Sequence, residues 1–238
     1  MKSSPRSQSK EVRLNKFIAQ AGGASRREAD RLIQTGQVRV NGETVTTLGM
    51  KIDPIKSEVI VQGHKLHADI SNTYLMFYKP RDVTSSMSKE DPSSLFPFFK
   101  DVAAKGLFHV GRLDRESEGL LLVTNDGDWG NRMLHPRYEV EKEYELVLDA
   151  PLEGKDERAL RLGIRLADGP FRVDEISVDA GSKVRIVIHD GRNRILRRAF
   201  DKLGYEVLRL KRVRYGAFRL GKIKPGEFRE ISVKHINL

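Results

Sequence analysis

No cysteine occurs among the 238 residues, which excludes disulfides, thiolate nucleophiles and cysteine-bound zinc. No apolar run approaches the roughly 18 residues needed to span a bilayer, so no membrane partner is expected. The opening MKSSPRSQSK lacks the apolar core of a secretory signal, and residence in the cytoplasm is the expectation. Acidic residues are also in short supply, 33 against 43 Lys and Arg, for a formal charge of +10. The excess is concentrated. Lys10 to Lys51 holds eight basic and four acidic side chains, and His189 to Lys222 holds eleven and three. Basicity gathered in two segments points to a polyanion partner. The length allows one medium domain and one small one, with core enough for at least the larger.

Residues 1–11 are polar, basic and serine-rich, as expected of a disordered tail. Leu14, Phe17, Ile18 and Ala21 keep the spacing of an amphipathic helix, which Gly22-Gly23 ends. Ser25 to Glu28 has capping-box spacing and opens a second helix with Ala29, Leu32 and Ile33 facing inward. Val38-Arg39-Val40 alternates as a strand and Asn41-Gly42 is the preferred type I′ turn. Gly49 to Asn72 reads as one further strand and a linker. His64 and His67 fall in that linker without acidic co-ligands, so no metal is expected. Tyr74 to Lys79 predicts a strand ended by Pro80, and Pro80 to Pro97 a loop. Beyond lie a short helix near Trp129 to Pro136, a strand over Val140 to Leu148, a helix within residues 150–170, strands over Val173 to Val178 and Val184 to Ile188, and last strands over Phe228 to Val233.

The helix, the capped helix and the V-R-V-N-G hairpin together resemble the alpha-L RNA-binding module of a small-subunit ribosomal protein and of many RNA-modifying enzymes. That resemblance implies an RNA-binding domain over residues 12–70, linker included, in which Lys16, Arg26, Arg27, Arg31 and Arg39 form a cationic face for phosphates.

His109 to Gly127 reads HVGRLDRESEGLLLVTNDG. Gly119 to Thr124 predicts a buried strand closed by the Asn125-Asp126-Gly127 turn, preceded by a polar loop with Gly111, Arg112 and Asp114. An R-x-D triplet alone is usually a solvated pair. The whole stretch, however, resembles the catalytic motif of the RsuA-like ribosomal RNA branch of pseudouridine synthases, G-R-L-D-x-x-T/S-x-G-L-L-L-x-T-x-D-G. It matches at Gly111, Arg112, Leu113, Asp114, Ser117, Gly119, Leu120, Leu121, Leu122, Thr124, Asp126 and Gly127. The similarity continues through the K-x-Y element at Lys142-Glu143-Tyr144. It extends through Gly191, Asn193, Leu196, Arg197 and Arg198 of a G-x-N-x-Q-I/L-R-R-M motif, and through Leu210 to Gly216. Ile195 and Ala199 replace the family's glutamine and methionine, so one polar contact of the pattern is missing while the arginines stay.

This resemblance implies an α+β catalytic domain over residues 71–238, built on a long mixed, mainly antiparallel sheet. It implies isomerisation of a uridine in ribosomal RNA, where Leu134-His135-Pro136 to Tyr144 favours a large-subunit target. The bond from ribose C1′ to uracil N1 breaks, the base turns, and C5 rejoins; nothing is consumed and no cofactor is needed. Asp114 falls on the catalytic acid, either attacking C1′ or taking a proton during elimination. Tyr144 would stack on the flipped uracil. Arg197, then Arg212, are the cations expected beside the aspartate, and Arg112 would fill the space the base leaves. Arg192, Arg194 and Arg198 crowd the start of a helix after a glycine turn, an arrangement suited to phosphate. Three alternatives stand beside this reading. One is a noncatalytic RNA-binding or ribosome-assembly protein, another a synthase for small-subunit RNA. The third, a glycosidic hydrolase, would need a second carboxylate, and Asp126 and Asp128 read as turn residues instead. A monomer is expected.

Overall fold

The computed structural model describes residues 11–67, 72–179 and 181–233. It divides into two compact units, Met1–Thr73 with Lys100–Leu107, and Tyr74–Phe99 with Phe108–Leu238. Apart from Glu11, the expected tail lies outside the described residues, as does the boundary expected at residue 70. No helix among the described residues is long and apolar enough to cross a membrane.

The first unit contains β1 (Val12–Arg13), α1 (Leu14–Gln20), α2 (Arg26–Gln34), β2 (Val38–Val40), β3 (Glu43–Thr44), β4 (Lys51–Ile52), β5 (Val59–Val61) and β6 (His64–Leu66). Leu14, Phe17 and Ile18 of α1 meet Ala29, Leu32 and Ile33 of α2 over Val38, Val40, Val59 and Val61, which makes one small core. Ser25 caps α2 by accepting the Glu28 amide at 3.2 Å. The other arm of the capping box is not made, because the Glu28 carboxylate takes Arg31 instead, with Nε at 2.9 Å. Asn41 and Gly42 have φ of 50° and 88°, the two positive angles of a type I′ turn. The expected linker is a correction. Residues 59–66 form β5 and β6, which complete a four-stranded sheet in the order β3-β2-β5-β6, with His64 exposed on β6. Val59-Ile60-Val61 is apolar throughout and His64-Lys65-Leu66 has a single apolar residue, so neither shows the alternation that marks Val38-Arg39-Val40. Their turn, Gln62-Gly63, reaches φ of 50° and 83° without the Asn-Gly or Asp-Gly signature.

The second unit contains β7 (Tyr74–Lys79), β8 (Phe108–Val110), β9 (Glu118–Thr124), α3 (Gly127–Leu134), β10 (Lys142–Leu148), α4 (Gly154–Leu162), β11 (Ile164–Leu166), β12 (Gly169–Phe171), β13 (Glu175–Val178), β14 (Lys183–Ile188), α5 (Ile195–Lys202), β15 (Val207–Tyr215), β16 (Phe218–Arg219) and β17 (Phe228–Glu230). Its nine-stranded sheet runs β13-β14-β10-β15-β9-β7-β17, with β16 on β15 and β8 on β9. Among the described residues only β15 and β9 pair in parallel; the other pairings are antiparallel. This is the mixed, mainly antiparallel sheet that the motifs implied. One core packs Ile195, Leu196, Ala199 and Phe200 of α5 and Leu160 of α4 against β10, β14 and β15. A second packs Trp129 and Met133 of α3 against Met76, Leu120, Leu122 and Tyr215. The helix expected within residues 150–170 stops at Leu162, since Gly163 turns to φ 108°, and Leu166 belongs to a β11–β12 hairpin. Leu162 is 74% exposed, so the leucine spacing there came from a helix end and a hairpin read as one element.

Candidate active site

The loop between β8 and β9 carries Gly111 to Ser117 and is pinned from several sides. Gly111 takes φ 74°, and a Cβ there would press Leu134 at 3.3 Å. Its carbonyl accepts a hydrogen bond of 2.7 Å from Nδ1 of His109, whose protonation is disfavoured by burial and by the Arg112 charge. Ser85 Oγ donates to the Leu113 carbonyl at 2.7 Å and accepts its amide at 3.0 Å. Lys79 lies wholly buried beneath the loop and donates to the carbonyls of Pro80 (2.8 Å), Val83 (2.6 Å) and Arg115 (3.4 Å). Burial pulls its pKa down to about 8, against the attraction of Asp82, Asp114, Glu116 and Glu118. Where the loop enters β9, Gly119 has φ 107° and faces Arg212 so closely that a Cβ would lie 2.3 Å from the Arg212 carbonyl oxygen. The loop therefore presents Asp114 from a fixed backbone, half-exposed at the edge of a cavity of about 710 Å³.

That cavity lies over the junction of β10 and β15, and Asp114, Lys142, Tyr144, Arg197, Arg212 and Tyr215 are among its lining residues. Alternation along β10 points Lys142 and Tyr144 to the same face and Glu143 to the other. Glu143 is buried there among Arg185, Arg214 and Arg219. On β15 the equivalent pair, Arg212 and Tyr215, is three residues apart. A register shift accounts for it, since Tyr144 is paired with Arg212 and Lys142 with Tyr215, so the strand gains one residue at Val213. The bulge thus brings four cavity-lining side chains to one surface. Arg212 is almost completely buried, donates from Nε to the Leu120 carbonyl at 2.7 Å, and places its guanidinium 4.9 Å from the centre of the Tyr215 ring. Its Nη2 meets no hydrogen-bond partner among the described residues. A buried unpaired donor costs about 1–3 kcal/mol, which an acceptor entering the cavity would relieve. Tyr215 donates to the Met133 carbonyl at 2.9 Å, and burial raises its pKa to about 12.

The arginines after β14 differ in what they do. Arg194, in the left-handed conformation at the head of α5, reaches back to Glu116 and lies 3.9 Å from Asp114. Arg197, expected to be the nearest cation, is one helical turn further on, where the Val207 carbonyl holds it at 2.6 Å and Ser117 at 3.4 Å. Burial weakens its hold on the proton, and it acts on Asp114 only at longer range. Arg194, foreseen only as a phosphate contact, is thus the arginine closest to Asp114. Arg192 is tied to Asp190 at 2.7 Å and Asp168 at 3.2 Å, and Arg198 to Asp168 at 2.8 Å. Arg112 is exposed on the loop. In the first unit, Arg26 and Arg27 are exposed at the start of α2, Arg31 pairs with Glu28, Arg39 donates to the Gly42 carbonyl, and Lys16 is half-buried on α1. Asp126 is confirmed as a turn residue, capping α3 through the amides of Asp128 and Trp129 at 3.0 Å.

Residues 73–202 match the family model described as RNA pseudouridylate synthase, and residues 12–56 match the S4 domain. The chain belongs to the RNA pseudouridylate synthase family. The synthase is 41% identical over 232 residues to an uncharacterised RNA pseudouridine synthase of Mycobacterium bovis, covering 94% of this chain and 91% of that one. It is 38% identical over 227 residues to the ribosomal large subunit pseudouridine synthase B of Bacillus subtilis, covering 92% of each. A solved pseudouridylate synthase superposes with a TM-score of 0.67 at 30% identity, over 93% of this chain and 96% of the other. Residues of the synthase site that sequence reasoning did not single out are Ser85, Lys142 and Tyr215. Lys142 stood inside the K-x-Y element. Tyr215 follows the basic run of β15 but needs the bulge to face the cavity, and Ser85 sits in a loop with no pattern to mark it.

Proposed function

We propose that this synthase converts one uridine of large-subunit ribosomal RNA to pseudouridine, with Asp114 as the catalytic residue. The observation that carries the reading is the placing of a half-exposed aspartate, on a loop pinned by Ser85 and Lys79, at the edge of a cavity floored by Tyr144, Arg212 and Tyr215. A volume of about 710 Å³ suits a flipped nucleotide. The base stacks on Tyr144, Arg212 offers its unpaired Nη2 to a substrate oxygen, and Asp114 acts at C1′ or on a proton released during elimination. Arg194, 3.9 Å from Asp114, and Arg197 behind it set positive charge beside the carboxylate. Arg112, exposed beside it, fills the gap left in the RNA stack. The target's assignment to the large subunit follows the names of relatives that align along nearly the whole chain. Residues 12–70 anchor the RNA through Lys16, Arg26, Arg27, Arg31 and Arg39, and residues 71–238 carry the chemistry. Arg192 and Arg198 contact phosphates by exchanging Asp190 and Asp168 for them. The protein works as a cytoplasmic monomer.

The test is carbodiimide primer extension on ribosomal RNA from cells with the wild-type protein, without it, and with Asp114→Ala. A stop present only with the wild type is the expected result and names the uridine. Identical patterns in all three, with RNA binding retained, would leave a binding protein in place of an isomerase.

A further inference from the structure

We propose that Lys142 is a further catalytic residue, an ammonium that hydrogen-bonds a carbonyl oxygen of the target uracil and stabilises the negative charge the ring acquires when it leaves C1′. The inference rests on the isomerase reading and adds a role for this side chain. Lys142 is on the same face of β10 as Tyr144, two residues away, a separation of about 6.6 Å along a strand. That distance is comparable to the width of a pyrimidine. A uracil stacked on the Tyr144 ring therefore has its polar edge within reach of the ammonium.

The nitrogen is held in place. Nζ donates to the carbonyls of Val140 (2.9 Å) and His189 (2.8 Å) and lies 5.5 Å from the centre of the Tyr215 ring. Two of its three N–H donors are so engaged, and among the described residues no carboxylate stands within ion-pair distance. The charged and titratable groups facing it are Arg212 and Tyr215 on β15, His189 and Asp190 after β14, and Asp174 ahead of β13. Burial first, and then Arg212, lower its pKa to about 8, opposed by Asp190 and Asp174. It is thus a cation that is only partly neutralised by its surroundings and is held in a fixed position, where its charge acts on charge that develops during reaction.

The chemistry balances without a proton leaving Lys142. The electron pair of the C1′–N1 bond passes to the ring and spreads over N1 and the carbonyl oxygens. C1′ is taken by the Asp114 carboxylate, or becomes an alkene carbon as a C2′ proton departs to it. After the ring turns, its C5 bonds to C1′ as the C1′–Asp114 ester bond breaks or, on the elimination route, as Asp114 returns the proton to C2′; the C5 proton is then lost and N1 gains one. Both routes pass through a uracil that bears negative charge, so the role of Lys142 does not depend on the choice between them.

The experiment uses full-length wild type, Lys142→Met and Lys142→Arg on an RNA containing the target uridine, with bound fraction and single-turnover conversion measured separately. Lys142→Met is expected to bind RNA within about threefold of wild type and to convert it about 10²-fold more slowly, the loss typical of a removed charge-stabilising donor. The same comparison is made with 5-fluorouridine at the target position, whose ring holds negative charge more readily; consumption of that substrate should narrow the gap between Met variant and wild type. Lys142→Arg should restore most of the rate and move the alkaline fall, near pH 8 in the wild type, to higher pH. A Met variant as fast as wild type overturns the proposal, as does an equal loss on uridine and 5-fluorouridine, which would mark a packing role. If the Met variant does not fold, an Arg variant whose alkaline fall stays near pH 8 overturns it instead. A wild type that makes no pseudouridine overturns the isomerase reading as well.

Discussion

At the scale of single residues, the site depends on close approaches that leave little freedom of choice. Gly119 is the sharpest case, since β9 and β15 meet there in parallel at a distance that a methyl group would breach. Gly119→Ala is expected to destabilise the protein by about 3 kcal/mol, combining a strained positive φ with overpacking against backbone; urea denaturation reads it directly. Tyr144→Ala should lower kcat/KM by about 5- to 150-fold, the equivalent of about 1–3 kcal/mol of lost base stacking, with global stability measured alongside. Asp114 could be picked out in the sequence because it falls inside a motif matched at a dozen positions, and Tyr144 because it ends the K-x-Y element that follows. The relation of Asp114 to Arg194 could not, because it depends on a left-handed residue at the head of α5 that turns one arginine back and leaves the next one, Arg197, held by the Val207 carbonyl.

Among the elements, the loop between β8 and β9 and strand β15 matter most. Ser85 clamps both polar groups of Leu113, so Ser85→Ala should leave the fold intact while the Leu113 amide exchanges with solvent at least about tenfold faster. Longer elements were legible where hydrophobic periodicity had room to show itself. β7, β9 and β10 each run to six or seven residues, and α1 and α2 present full apolar stripes. β5 and β6 were missed for want of alternation, and the β11–β12 hairpin was read as helix because its Leu166 continued the spacing of α4. The bulge at Val213 has no sequence mark at all. It is imposed by pairing with β10, a contact between segments about seventy residues apart, and no local pattern encodes it.

For the molecule as a whole, charge and titration make separate predictions. Removing Arg26 and Arg27 together should flatten the dependence of log Kd on log salt by about 1.5, because two phosphates are no longer neutralised and keep their counterions; filter binding over a salt series measures it. Stability should rise between pH 8 and about 10. Buried Lys79 and Lys142 release their protons at about 8 in the folded chain, against 10.5 when unfolded, so across that interval the unfolded state binds more protons. Above pH 10 the trend reverses, because unfolded tyrosines ionise while Tyr78 and Tyr215 stay neutral to about 12. Urea melts at successive pH values test both limbs, and Lys142→Met should reduce the rise.

β15 lies between β10 and β9 and so joins the β13-β14-β10 half of the sheet to the β9-β7-β17 half. Translation delivers it after both neighbours. A nascent chain that has emerged only as far as Val207 already displays Asp114 and Tyr144, yet it lacks Arg212 and Tyr215 and has no strand to connect its two half-sheets. Such a chain has an unfinished cavity even though it remains attached to a ribosome full of RNA. The order of synthesis therefore leaves the cavity open on one side until the strand that completes it has been made.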